Sequence, residues 1–290
     1  MATALQQPPQ PKTTPAPLSN PSPLSLGILE NLARFEVLNV KQLCLLMYGE
    51  IDDTHEGSLR RSLRILKGKG FIHTCAYCPD GYNERKLPLA AWLSEEGARF
   101  AEYRWTGTYP KYHGKERSRY TIDHDIKRAD THEAIFKLCE EQGFTLGWRK
   151  TDLSHFVKPD DIFEITKEKT ARFFLEEENK KKNLKEMYEK LKAYVEMRGS
   201  DKCKEHWGFK YFNVIIPMRN KEAAMSVLTH FAGDCNCQDF VNKRLHKNAP
   251  FKLQSDTLWF TTHDMITTQT TDKIFLTFDG KERSLLDIIR

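Results

Sequence analysis

Lys158-Pro159-Asp160-Asp161-Ile162-Phe163-Glu164-Ile165, followed by Phe173-Phe174-Leu175-Glu176-Glu177-Glu178-Asn179-Lys180, is the stretch that most limits what this chain can be. It reads as two short strands joined by the polar turn Thr166 to Lys169. Side chains alternate along a strand, so Phe174, Glu176, Glu178 and Lys180 are expected on one face. Asp160 closes the same neighbourhood from the partner strand if the two pair as a hairpin. Acidic side chains that converge beside a lysine suit a divalent cation and a phosphodiester. The bland alternative is a charged hairpin running into a solvated helix.

The spelling resembles the core of the PD-(D/E)xK nuclease superfamily, with Pro159-Asp160 as the PD. Two registers fit. Glu178-Asn179-Lys180 matches the ExK literally. Glu176-x-Glu178 instead follows the apolar run directly, as the acidic residue of the superfamily usually does, with glutamate where lysine is usual. The resemblance implies that Asp160, Glu176 and Glu178 hold Mg²⁺ or Mn²⁺ and that Lys180 orients the attacking water or stabilises charge. It also implies an outer carboxylate from Asp125 on the preceding helix. His124 beside it suits a general acid–base role or, more commonly for a histidine, a cap or a core contact. Lys190, Lys192 and Tyr194 on the next helix suit either DNA contact or ordinary Glu–Lys pairs on a surface helix.

Composition sets the outer bounds. A chain of 290 residues suggests two domains of ordinary size. Charged residues make up 29%, and the mean hydropathy is −0.61. No run approaches the roughly 18 apolar residues of a membrane span. The N-terminus lacks the basic-then-apolar order of a signal peptide. Seven irregularly spaced cysteines suit a reducing cytoplasm better than a disulfide framework. Cys75-x-x-Cys78 and Cys235-x-Cys237, with His73 nearby, are zinc-ligand types, but the pairs fall in different expected domains. No glycine-rich phosphate loop, Ser/His/Asp arrangement or dinucleotide fingerprint appears. A net charge of +5 is mild, so the clustering of charge says more than the total.

Residues 1–24 hold seven of the 13 prolines and are expected to be a disordered tail. Residues 25–103 then show three helices, a strand Phe71–Tyr77, a turn at Cys78 to Gly81, a strand near Leu87–Leu93 and a last helix capped by Ser94. Asn39 is placed to cap the second helix, and the third starts near Thr54. This order predicts a winged helix-turn-helix, whose third helix would present Arg60, Arg61, Arg64 and Lys67 to duplex DNA. Asn83, Arg85 and Lys86 in the wing would lie across the backbone or minor groove. Residues 104–121 form a basic linker. Between Arg104 and Arg128 there are seven Lys/Arg residues against three acids, interleaved with Trp105, Tyr109, Tyr112 and Tyr120. Such a segment suits a phosphate backbone or aromatic packing between domains.

From 122 to 290 the expected order is a helix, a strand at Phe144–Arg149, the acidic hairpin, a helix Lys181–Met197, a strand Tyr211–Ile216 and a helix Lys221–Phe231. Strands near Leu258–Thr262 and Lys273–Phe278 follow. Helix, three strands, helix, strand is the core order of the nuclease-like α/β fold. The expected fold class is therefore α/β (α+β overall), a winged helix-turn-helix followed by a PD-(D/E)xK-like domain with a central mixed sheet.

Both halves together resemble the bacterial replication-relaxation family of plasmids and integrative elements, over roughly residues 25–262. The first half matches in Leu29 to Leu46, Ser58 to Ile72 and Trp92 to Phe100. The second matches at His124-Asp125, Pro159-Asp160, Phe174-Leu175-Glu176-x-Glu178, Lys192-Ala193-Tyr194 and the strand ending in Pro217, where Arg219 follows. In that family the acidic strand more often ends in aspartate than in glutamate. The resemblance implies a cytoplasmic, DNA-binding protein acting in replication, relaxation or mobilisation, with double-stranded DNA and replication or mobilisation proteins as partners and no membrane. An active Mg²⁺-dependent endonuclease and a winged-helix transcriptional regulator are the alternatives.

Overall fold

The computed structural model describes residues 21–77, 79, 87–102, 112–149, 157–178, 184–231, 257–269, 271–277 and 281–289. The chain divides into two compact units, Met1–Ile122 and Asp123–Arg290.

The first unit opens with α1, Pro23–Phe35, capped by the Ser22 hydroxyl on Ser25 N. This helix thus starts inside the stretch expected to be tail. The proline that suggested disorder instead occupies the helix start, where its missing N–H costs nothing and its fixed φ suits the helix. A short strand β1, Val37–Asn39, precedes α2, Val40–Tyr48. Asn39 and Gln42 form a reciprocal capping box. Helix α3, Asp53–Gly68, is capped by Asp52. It leads to β2, Ile72–Ala76, then β3, Leu89–Leu93, and α4, Glu95–Ala101, with Ser94 as cap. The strands pair antiparallel in the order β1-β3-β2. Three helices accompany this three-stranded sheet, in the order the sequence predicts. The strand β1 escaped sequence reading because three residues are too few to show a period.

Helices α1, α2 and α3 bury Leu29, Leu32, Leu43, Leu59, Leu63 and Leu66, and Trp92 of β3 is buried as well. Residues 112–118 pack on this unit: Trp92 Nε1 donates to the Gly114 carbonyl at 3.1 Å, and Arg117 lies over the Trp92 ring. That part of the basic linker therefore serves packing. Its portion from 104 to 111 is outside the described residues.

The second unit begins on α5, Arg119–Gln142, which starts three residues inside the expected linker because Ser118 caps it. Strands β4, Thr145–Arg149, β5, Asp161–Thr166, and β6, Thr170–Leu175, form an antiparallel meander. Helices α6, Leu184–Met197, and α7, Asp201–Trp207, cross to β7, Asn213–Met218, which runs parallel to β6. After α8, Lys221–Phe231, come β8, Leu258–Thr262, α9, His263–Thr268, β9, Phe275–Leu276, β10, Glu282–Arg283, and α10, Leu286–Ile289. The result is a mixed sheet of seven strands ordered β10-β9-β8-β7-β6-β5-β4. Its core carries the helix, three-strand, helix, strand order.

Strand alternation divides the core in two. Ile162, Phe174, Val214, Ile216 and Phe260 pack with Met187, Leu191 and Tyr194 of α6 and Val227 of α8. Phe163, Phe173, Leu175, Ile215 and Trp259 pack with Ile135, Leu138 and Cys139 of α5 and Ile266 of α9. No helix among the described residues is long and apolar enough to cross a membrane.

Gly97 in α4 has a strict packing role. A Cβ there would collide with the Phe71 carbonyl and come within 3.1 Å of Leu93 Cδ2. Backbone cannot retreat as a side-chain tip can, so Gly97→Ala is expected to destabilise the first unit by about 1–3 kcal/mol. Urea unfolding followed by Trp fluorescence measures this; an unchanged midpoint contradicts it.

Candidate functional site

Beyond Leu175 the backbone stays strand-like. Glu176 N donates to the Ile215 carbonyl at 2.9 Å and Glu178 N to the Pro217 carbonyl at 3.0 Å, with a parallel bridge from Glu178 to Met218. Alternation therefore continues through three consecutive glutamates. Glu176 and Glu178, 1% and 2% exposed, turn toward α6, and Glu177 turns to the opposite face. Buried carboxylates are costly unless each finds a cation or donors. Three helices supply them.

Helix α6 supplies Lys190 and Tyr194, four residues apart and so on one face. The Lys190 ammonium pairs with Oε2 of Glu176 and lies 3.0 Å from Oε1 of Glu178. The Tyr194 hydroxyl donates to Oε1 of Glu176. Burial pushes the Glu176 carboxyl up to about 8, against the pull of Lys190. Burial also opposes the charge on Lys190, but Glu176, Glu178 and Asp160 outweigh it and hold the ammonium above the ordinary lysine range. Burial, with Glu176 close by, raises the Tyr194 hydroxyl too. One ammonium thus serves two buried carboxyl groups, and burial favours the protonated form of Glu176.

Helix α5 supplies the second set. Asp160 N donates to the Leu175 carbonyl, and Asp160 Oδ2 accepts from Glu177 N at 2.8 Å. The same oxygen is 3.2 Å from Nε2 of His124, whose Nδ1 is 3.5 Å from Oδ1 of Asp125. Burial works against a charged His124, but hydrogen bonds and charge from Asp125 and Asp160 prevail and push it up to about 10. Burial likewise opposes the Asp160 carboxylate, and His124 and Lys190 more than compensate, so it titrates below the usual aspartate range. Arg128 lies 3.3 Å from Asp161 and 3.8 Å from Asp125, and donates to the Asp160 carbonyl at 3.4 Å.

On the far face, Thr131 of α5 donates to Glu177 Oε2 at 3.2 Å. His263, the first residue of α9, bridges Glu177 Oε1 at 3.5 Å and Asp130 Oδ2 at 3.4 Å. Burial disfavours its charge, but these two acids overcome that and push it up to about 9.

Asp125, Asp160, Glu176 and Glu178 are therefore brought to one end of β6, linked through His124 and Lys190. Lys180 lies outside the described residues, and the ammonium among these carboxylates comes from Lys190. The expected three-carboxylate metal set needs correction. Among the described residues, the only three His, Cys, Asp or Glu ligand atoms within 4.8 Å of one another belong to Glu50, Asp52 and His55. Asp160, Glu176 and Glu178 do not converge on one point, because each is drawn to a cation of the protein itself. Glu176 and Glu178 around a shared ammonium still offer the all-oxygen donors that Mg²⁺ or Mn²⁺ accepts as a carboxylate pair completed by waters. His124 neither caps nor packs in the apolar core; it bridges two aspartates. Lys192 pairs with Glu196 on the surface at 3.6 Å.

In the first unit, Arg61, Arg64 and Lys67 are exposed on α3. Arg60 is not available in the same way: it is partly buried and paired with Glu56 at 3.2 Å. Arg85 and Lys86 lie outside the described residues, as do Cys78, Cys235 and Cys237; Cys75 is an exposed free thiol.

Sequence reading did not find Glu177, Thr131, Asp130, His263, Arg128 or Asp161. Alternation alone signals that Glu177 faces away from its two neighbours, and hence that it needs partners on the opposite helix layer. Which residues these are depends on strand order, and no spacing in the chain announces His263.

The fold and this site define a mixed α/β protein with a buried acidic cluster at a strand end. The replication-relaxation family model matches residues 29–214, and the chain belongs to that family. Among solved structures, one described as "Structure of SdaI restriction endonuclease" is 14% identical over 84% of this chain and 86% of that chain, with a TM-score of 0.27. Comparison with curated proteins gives no match.

Lys190→Met should leave Glu176 and Glu178 buried without their cation and cost about 3–5 kcal/mol. A loss under about 1 kcal/mol in chemical denaturation would show that these carboxyls do not depend on it. Stability should also fall in alkali. Folded His124 and His263 hold protons up to about pH 10 and 9, against 6.5 for an unperturbed histidine. The folded state binds more protons in that window, so their contribution is full below pH 6.5 and lost as pH rises through 9 to 10. Glu176 acts in the same direction between 4.5 and about 8. A urea midpoint that stays flat from pH 6.5 to 9 contradicts these environments.

Proposed function

We propose that this protein binds duplex DNA through the outer face of α3 and acts in the replication, relaxation or mobilisation of a plasmid or integrative element. The observation that carries the reading is the set Arg61, Arg64 and Lys67, exposed on one helix with no acidic partner among the described residues. Elsewhere in the chain cations such as Lys190 and Arg128 are consumed by buried acids, whereas these three are left for an external anion. Lys and Arg that meet phosphates release counterions, so affinity falls steeply with salt. A transcriptional regulator would use the same helix face; membership of the replication-relaxation family favours the replication role.

Arg61, Arg64 and Lys67 replaced together by alanine should weaken duplex binding strongly and lower the slope of log K against log salt by about 2–3. Arg60→Ala should matter much less. Binding by the triple variant that matches the wild type, with folding intact, overturns the assignment.

A second reading, a metal-dependent endonuclease, is favoured by the gathering of Asp160, Glu176, Glu178 and Lys190 at one strand end. Glu176 and Glu178, with Asp160 adjacent, would hold Mg²⁺ or Mn²⁺. When bound, such an ion supplies a water of lowered pKa and neutralises charge on a phosphate. Lys190 would give up its contacts with the carboxylates and turn its ammonium to the phosphate, and Glu176 would release its proton. Mg²⁺ or Mn²⁺ is then expected to raise the melting temperature, and Glu176→Gln to remove that rise, alongside metal-dependent nicking of supercoiled plasmid. Duplex binding with neither effect leaves the DNA-binding function alone.

A further inference from the structure

On α3 the buried stripe is Leu59, Ser62, Leu63 and Leu66. At 3.6 residues per turn, the line diametrically opposite runs through Gly57, Arg61, Arg64 and Gly68, with Ile65 beside it. Ile65 is a large apolar side chain left 49% exposed. Gly57 has no internal reason to be glycine. A Cβ built there meets nothing within 4 Å, and its backbone is ordinary helix rather than left-handed. Glycine weakens a helix interior, so this position forgoes stability that alanine would restore. What a missing side chain provides at the crest of an exposed face is close approach by something outside the protein.

We infer that Gly57 is the point where α3 presses against the edges of the base pairs, with Ile65 set against a thymine methyl. This rests on the DNA-binding reading above and adds to it the position that sets docking depth and a residue that sets base preference. Arg61 and Arg64, one and two turns beyond Gly57 on the same crest, make the occupant an anionic one. A helix of this width enters the major groove of B-DNA, where the thymine C5 methyl is the apolar feature and guanine edges suit the arginines. An acidic protein surface would also meet the charge, but it would not need a crest stripped of its Cβ.

The test uses the full chain, a short mixed-sequence duplex, and the same duplex with uracil replacing every thymine, which removes the methyl groups alone. Gly57→Ala should raise the melting temperature of the free protein while weakening duplex binding roughly tenfold, and Gly57→Leu should weaken it further. Ile65→Ser should lose the preference of the wild type for the thymine duplex while keeping its affinity for the uracil duplex. A stabilised Gly57→Ala that binds as the wild type does, or a wild type indifferent to the methyl groups, overturns the inference and leaves DNA binding intact. A wild type that binds neither duplex overturns the DNA reading itself.

Discussion

Three consecutive glutamates at the end of a central strand impose a requirement on everything around them. Glu176, Glu177 and Glu178 are all buried, and a carboxylate removed from water needs a cation, donors or a retained proton. The second unit meets this in all three ways. Lys190 and Tyr194 come from α6, His263 from the start of α9 and Thr131 from α5. Burial holds the Glu176 carboxyl above its ordinary range, which favours a retained proton. Three of the helices that cover the sheet are thereby tied to the same strand end, and the position of each is constrained by charge as well as by apolar packing.

Strand geometry decides how that requirement is divided. Because side chains alternate, two of the glutamates face α6 and the middle one faces α5 and α9. The same alternation sends Phe174 to one core and Phe173 and Leu175 to the other. Asp160 joins the cluster from β5 by accepting from the Glu177 amide, which makes the backbone of the middle glutamate part of the site even though its side chain points away. His124 then carries the network out to Asp125 along α5. Two histidines, each clamped between a pair of acids, therefore flank the strand end on its α5 side.

The two units treat positive charge in opposite ways. In the second, Arg128, Lys190, His124 and His263 all face buried acids, and their charge is spent inside the protein. In the first, Glu56 takes up Arg60, while Arg61, Arg64 and Lys67 are exposed on α3 with no acidic partner among the described residues. Free cations on an exposed helix contribute little to stability, whereas paired ones in a buried cluster are needed for it. That division separates a surface suited to a polyanion from a site whose first task is to hold its own acids. It also explains why an ion entering at Glu176 and Glu178 must compete with an ammonium already in place.

Local pattern was enough for most elements and for the gathering of acids. Asn39 and Ser94 announced their helices because a cap is a contact between residues three apart. The acidic hairpin was legible because Asp160 and Glu176 lie on strands joined by a short turn, and a period of two places alternate residues on one face. The chain by itself thus determined the order of helices and strands in both units and the run of acids that ends β6. Only the tertiary structure decided which cations meet them. Among the described residues the ammonium is that of Lys190, from the helix beyond, and His263 arrives from β8 after a crossover. The same holds for Arg60, where an acid one turn earlier on α3 removes a cation that composition alone assigns to DNA. Partners one turn or one hairpin away are written into spacing, whereas partners brought in by strand order and helix crossover depend on long-range packing, for which no local period exists.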